Sequence, residues 1–69
     1  MERIQVESSN IASIGYDEKS NTLEIEFHNS AIYQYFDVPI MVYQGLKEAS
    51  SKGIYLAQNI KGYYRFVKV

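Results

Sequence analysis

Cysteine is absent from this chain, which removes any disulfide framework or thiolate metal site and fits a reducing compartment. Histidine occurs once, as His28, so no imidazole cluster is available either, and neither a metal nor another cofactor is expected. No stretch approaches the roughly 20 apolar residues that a membrane-crossing helix needs, and no membrane association is expected. The segment Met1 to Glu7 lacks a positive region followed by an apolar run, so no signal peptide is expected and the chain reads as cytoplasmic. Acidic residues stop at Glu48, and the tail beyond carries Lys52, Lys61, Arg65 and Lys68. A net charge of −1 and a pI near 5.7 give no general attraction to nucleic acid or anionic lipid, which makes that asymmetry the one electrostatic clue.

What is present is apolar and aromatic. In 69 residues, 46% are hydrophobic, which predicts one soluble domain over 1–69 with no linker, repeat or low-complexity segment. A core of this size supplies only about 3–5 kcal/mol of net stability. The chain has seven tyrosines and no tryptophan. Its single proline, Pro39, ends the run Ile32-Tyr33-Gln34-Tyr35-Phe36-Asp37-Val38, an aromatic strand leading into a residue whose preset φ and missing donor suit a helix's first turn.

Alternation predicts the strands. Ala12, Ile14 and Tyr16 share one side of an extended chain from Asn10 to Tyr16, and Asp17 to Asn21 supply a hairpin turn. From Thr22 to Phe27, Leu23, Ile25 and Phe27 point one way and Thr22, Glu24 and Glu26 the other, as in a sheet with one dry and one wet face. Two registers compete at the next hairpin. A two-residue turn at Asn29-Ser30 would send Ile32, Gln34 and Phe36 inward. A three-residue loop, His28-Asn29-Ser30, pairs Ile25 with Tyr33 and Leu23 with Tyr35 and leaves Gln34 outside. The second is favoured, because burying Gln34 without partners would cost about 1–3 kcal/mol, whereas a tyrosine fills a core while its hydroxyl reaches the rim. Ser30 is its weak point, since such loops usually place glycine in the left-handed position.

Pro39 to Ala49 predicts a helix with Val42, Leu46 and Ala49 inward and Tyr43 flanking; the interior Gly45 predicts a close approach to the sheet. Gly53 could close that helix, or Ser51 could cap a second one from Lys52 to Lys61 that buries Leu56 and Ile60 and ends at Gly62; the second helix is favoured. Tyr63 to Val69 alternates as a closing strand with Tyr64 and Phe66 on one side, and Arg3 to Val6 is its candidate pairing partner. The fold class expected is α+β: an antiparallel sheet of three to four strands with one or two helices packed on one face. The order of the strands is not readable.

Candidate chemistry is sparse. Glu24 and Glu26 share a strand face, roughly 7 Å apart, but general acid–base work needs a carboxyl whose surroundings raise its pKa, and glutamates alternating with core residues read as a solvated face. His28 is a hairpin-tip residue without triad partners. No serine sits in a glycine-flanked nucleophile elbow, and no glycine loop cradles phosphate. Tyr16, Tyr33 and Tyr35 belong to the core side. Tyr63, between Lys61 and Arg65, is instead read as an exposed ring flanked by cations, the arrangement that stacks bases and holds phosphates.

The segments Val6-Glu7-Ser8-Ser9-Asn10, Ile14-Gly15-Tyr16-Asp17, Thr22 to Phe27, Tyr33-Gln34-Tyr35 with Val38-Pro39, and Ser51-Lys52-Gly53 with Asn59-Ile60 follow one another in an order and spacing that resembles the KTSC domain. That module stands alone in bacterial proteins and at the C-terminus of some lysyl-tRNA synthetases. The resemblance covers nearly the whole chain and implies an α+β domain of unknown function with RNA as a partner class, the latter by association with the synthetase. Three departures matter. Ser30 replaces the usual hairpin glycine, Leu56-Ala57 replaces an aromatic-asparagine pair, and the tail is less basic than in many members. The leading expectation is a non-catalytic binding module for RNA using Lys52, Lys61, Tyr63, Arg65 and Lys68 with Asn59 as a hydrogen-bonding neighbour. The alternative is a protein-interaction or self-association domain, a homodimer included, that uses an open sheet edge or the outward Ile32 and Phe36.

Overall fold

Alternation in the sequence becomes one antiparallel sheet in the computed structural model, which describes residues 1–69. Its strands are β1 (Arg3–Gln5), β2 (Ile11–Asp17), β3 (Thr22–Phe27), β4 (Ile32–Tyr35) and β5 (Phe66–Lys68), and they lie side by side in chain order. Between β4 and β5 the chain makes α1 (Ile40–Glu48) and α2 (Lys52–Asn59), both on one face of the sheet. The α+β class is as expected. Five strands are present where three to four were expected, because both edge strands are only three residues long.

The register at the β3–β4 hairpin is the favoured one: Leu23 faces Tyr35, Ile25 faces Tyr33 and Glu24 faces Gln34. Phe27 N–H donates to the Ala31 carbonyl (2.9 Å), which closes the three-residue loop, and Ser30 takes the left-handed conformation at φ 74°. A side chain at that φ costs about 1–2 kcal/mol. Asn29 offsets part of it by accepting a bond from Ala31 N–H with its side chain (3.0 Å). In the β2–β3 turn, the Asp17 carboxylate accepts from Lys19 N–H and Ser20 Oγ–H, both at 3.0 Å, which holds its pKa below the usual carboxylate value.

In β2 the alternation misplaces one residue. Ile11 pairs with Phe27 and Ser13 with Glu26, so Ala12 is the extra residue of a bulge. Ile11, rather than Ala12, therefore joins Ile14 in the core. That core is Ile11, Ile14, Leu23, Ile25, Tyr35, Val38, Leu46, Leu56 and Ile60, with Val42 and Tyr43 packed against it from α1. Pro39 stands one residue outside α1, in extended conformation at its N-cap. Ser51 caps α2, its Oγ accepting from Ile54 N–H, and Gly62 closes the segment in the left-handed region at φ +83°. Gly45 does mark a close approach, but to α2 and not to the sheet: a Cβ there would collide with the Tyr55 hydroxyl and ring.

The expected pairing of the chain's ends does not occur. β1 pairs with β2 and β5 with β4, which puts the two ends at opposite edges of the sheet. Physically, α1 and α2 return the chain beside β4, the strand it has just left. The closing strand is also shorter than alternation implies, since Tyr63 and Tyr64 lie in the turn that follows α2.

Candidate functional site

The helices cover the sheet unevenly, and the gap defines the site. Over β2 and β3 the face is closed, with Ile14, Leu23 and Ile25 fully buried. Toward β4 and β5 it opens into a groove of about 510 Å³ floored by Phe27, Tyr33, Tyr35 and Phe66 and rimmed by Lys61 and Lys68. Strand alternation puts these rings together, since Tyr35 faces Phe66 and Tyr33 faces Lys68 across the β4–β5 ladder. Phe66 stands 5.6 Å from Tyr33 and 5.7 Å from Tyr35, and Phe27 meets Tyr33 edge-on at 5.6 Å. Tyr35 is 3% exposed, and burial pushes its phenol pKa up. Tyr33 is half-buried and Phe66 is 55% exposed, so the cluster grades from core to surface along one face.

The residues singled out from sequence fall in three places. Lys61 and Lys68 meet at the groove, with Lys61 Nζ 5.9 Å from the centre of the Phe27 ring. Tyr63, exposed, lines a shallow surface with Arg65, Phe36 and Val67. Arg65 there lies over Phe36 and donates to Asp37 Oδ2 at 3.0 Å. Lys52 lies at the start of α2, donates to the Ala49 carbonyl at 3.0 Å and borders a polar hollow with Glu7, Ser8 and Asn10. Asn59 is exposed and donates to the Tyr55 carbonyl. The proposed cationic cluster is thus dispersed, apart from the pairs Lys61 with Lys68 and Tyr63 with Arg65. What sequence reasoning missed is the ring floor shared by Tyr33 and Phe66. The alternation Tyr64-Arg65-Phe66 carried the signal, but only the β4–β5 pairing converts it into a position.

The outer face of the sheet is less wet than alternation implies. Glu24 is 8% exposed, bound by Gln34 Nε2–H (2.8 Å) and by Arg3 Nη1–H. The bond from Gln34, then that from Arg3 and its charge, outweigh desolvation and hold the Glu24 carboxyl below the usual glutamate pKa. This is the reverse of what a general acid requires. Glu26 accepts from Ser13 Oγ–H at 2.8 Å, and His28 Nε2 bonds the Ser8 carbonyl at 2.8 Å. Glu24 and Glu26 fasten strands to one another, and His28 ties the β3–β4 loop to the segment before β2. No group of three His, Cys, Asp or Glu side chains converges, and no helix is long and apolar enough to cross a membrane.

A five-stranded antiparallel sheet with helices on one face, Glu24 and Glu26 committed to cross-strand bonds, defines a small α+β domain. The chain belongs to the KTSC domain family, whose model matches residues 7–64. It is similar to an uncharacterized protein of Stutzerimonas stutzeri, at 40% identity over 100% of this chain and 99% of that one. It is equally similar, at 40% identity over 91% of its length, to a lysine–tRNA ligase of Nostoc punctiforme, of which it spans only 11%. The crystal structure of a KTSC domain protein from Yersinia pestis superposes with a TM-score of 0.96 at 41% identity, covering 99% of this chain and 96% of that one. The family resemblance read from the sequence is therefore established.

Proposed function

We propose that this KTSC domain is a cytoplasmic protein-interaction module whose working surface is the open end of the sheet at β5. One observation carries the reading: β5 is an edge strand with apolar side chains exposed on both faces, Phe66 at 55% toward the groove and Val67 at 44% on the outer face. An exposed edge of this kind is a template for another chain. The outer face continues past Val67 to Val69 and the half-buried Ile32 and Phe36, the pair first considered for contact. A ligase in which the similar segment is only 11% of the length is consistent with a docking appendage.

RNA binding, the first expectation, draws less support. Lys52 borders a different hollow from the groove that holds Lys61 and Lys68, and Arg65 pairs with Asp37 at the surface. Fluorescence anisotropy with labelled RNA over a salt series separates the two readings. Phosphate-driven binding would weaken with a log–log slope near −0.7 per contact on single strands and −0.9 on duplex. Salt-insensitive or absent RNA binding is the expected result, and a steep slope would overturn the protein-interaction reading. Sedimentation across micromolar concentrations then separates self-association, seen as a dimer, from binding to a different protein, seen as a monomer.

A further inference from the structure

Lys61 and Lys68 are the charged groups of the groove, and no carboxylate lines it. Neither lysine has an ion-pair partner; the ion pairs of the protein belong to Arg3 and Arg65. Beside them runs a bare hydrogen-bonding edge. Phe36 N–H donates to the Arg65 carbonyl and Val69 N–H to the Ile32 carbonyl, so residues 65, 67 and 69 face β4. The backbone N–H and C=O of Phe66 and Lys68 therefore point away from the sheet. In an extended chain laid antiparallel on that edge, alternate side chains would fall on the groove face, one opposite Lys68 and the next opposite Phe66.

We propose that β5 accepts an extended acidic peptide as a sixth strand, with a carboxylate against Lys68 and Lys61 and, two positions away, an aromatic or large aliphatic side chain on Phe66. The proposal rests on the protein-interaction reading and narrows it to one edge and one partner chemistry. Charge argues against a second copy. Pairing β5 with itself about Val67 would bring two sets of Lys68 and Arg65 to one seam. Lysines on an edge strand discourage such self-pairing. Stacking on the exposed Phe66 ring alone would leave the bare amides of Phe66 and Lys68 unused by an RNA. An acidic strand satisfies the lysines, the bare amides and the exposed ring together.

The test is an amide-shift titration of the full chain by NMR with a short capped peptide in which glutamate and phenylalanine alternate with threonine. The largest shifts are expected at Phe66, Val67, Lys68 and Lys61, with slowed exchange of the Phe66 and Lys68 amides. K68E should weaken binding about tenfold, and a lysine-for-glutamate peptide should recover most of that loss, as charge pairing across an interface predicts. Unchanged β2 and β3 shifts in K68E confirm that the variant is folded. Equal affinity for the glutamate and lysine peptides, or no shift at about millimolar peptide, overturns the proposal. Shifts centred on Ile32 and Phe36, or a dimer in sedimentation, overturn the groove assignment while the protein-interaction reading stands. Salt-dependent RNA binding without peptide binding overturns both.

Discussion

The two ends of the sheet's inner face are both apolar, aliphatic at one and aromatic at the other, and the helices treat them differently. Under α1 and α2, Ile14, Leu23 and Ile25 lose all contact with water; at β5, Phe66 keeps 55% of its exposure. Each fully buried aliphatic contributes about 1.5–3 kcal/mol of transfer free energy, so the covered end carries most of the stability. The open end contributes little to folding and is available for contact. In so small a domain, stability and recognition are divided across the strand order of one sheet rather than between layers.

That division can be broken by experiment, beginning with the largest effect. Leu46→Ala, at a fully buried α1 position, should cost about 3 kcal/mol in urea unfolding, a large share of the total for a domain of this size. If it costs no more than a surface change, the covered end is not the stabilising one. Glu24→Gln should cost about 1–2 kcal/mol at pH 7 through loss of charge-assisted bonds from Gln34 and Arg3. Its sign with pH is fixed: the folded pKa is lowered, so the contribution is fully present above the unfolded value near 4.3 and lost as pH falls through the folded one. Unfolding followed from pH 6 down to pH 2 should therefore show a smaller acid loss in Glu24→Gln than in the parent; equal losses would remove Glu24 from the account.

Phe66→Ala should cost no more than about 1 kcal/mol, because the ring is half exposed, while abolishing the peptide-induced shifts at β5. A loss as large as that of Leu46→Ala would erase the contrast between the ends. The smallest change is a gain. Ser30→Gly should stabilise by about 0.5–1 kcal/mol, since glycine adopts φ 74° without steric cost but surrenders more chain entropy on folding. A loss there would mean that the Ser30 side chain contributes a contact of its own.

How much was legible follows the same contrast. The β3–β4 register could be read because moving it by one residue would bury Gln34 and expose Tyr35, an energetic difference written in the order of side chains. Both helices could be read because Pro39, Ser51 and Gly62 act locally. The Ala12 bulge could not, since Ala12-Ile14-Tyr16 alternates as cleanly as Ile11 packs, and only three-dimensional closure decides between them. For β5, alternation announces a strand without naming its neighbour. The site was half legible for that reason: Lys61 and Lys68 were chosen by charge, but their meeting over Phe27 and Tyr33 depends on α1 and α2 returning the chain to β4.

The return through two helices has a kinetic consequence. Strands β1 to β4 pair across short local connections, whereas the pairing of Phe66 with Tyr35 must close a loop that contains both helices, at a higher entropic cost. β5 is therefore expected to pair late and to open early, with its Val67 and Val69 amides exchanging before those of β2 and β3. An incoming strand would latch the seam that encloses both helices, and the occupied state would differ from the empty one chiefly in how tightly that seam stays shut.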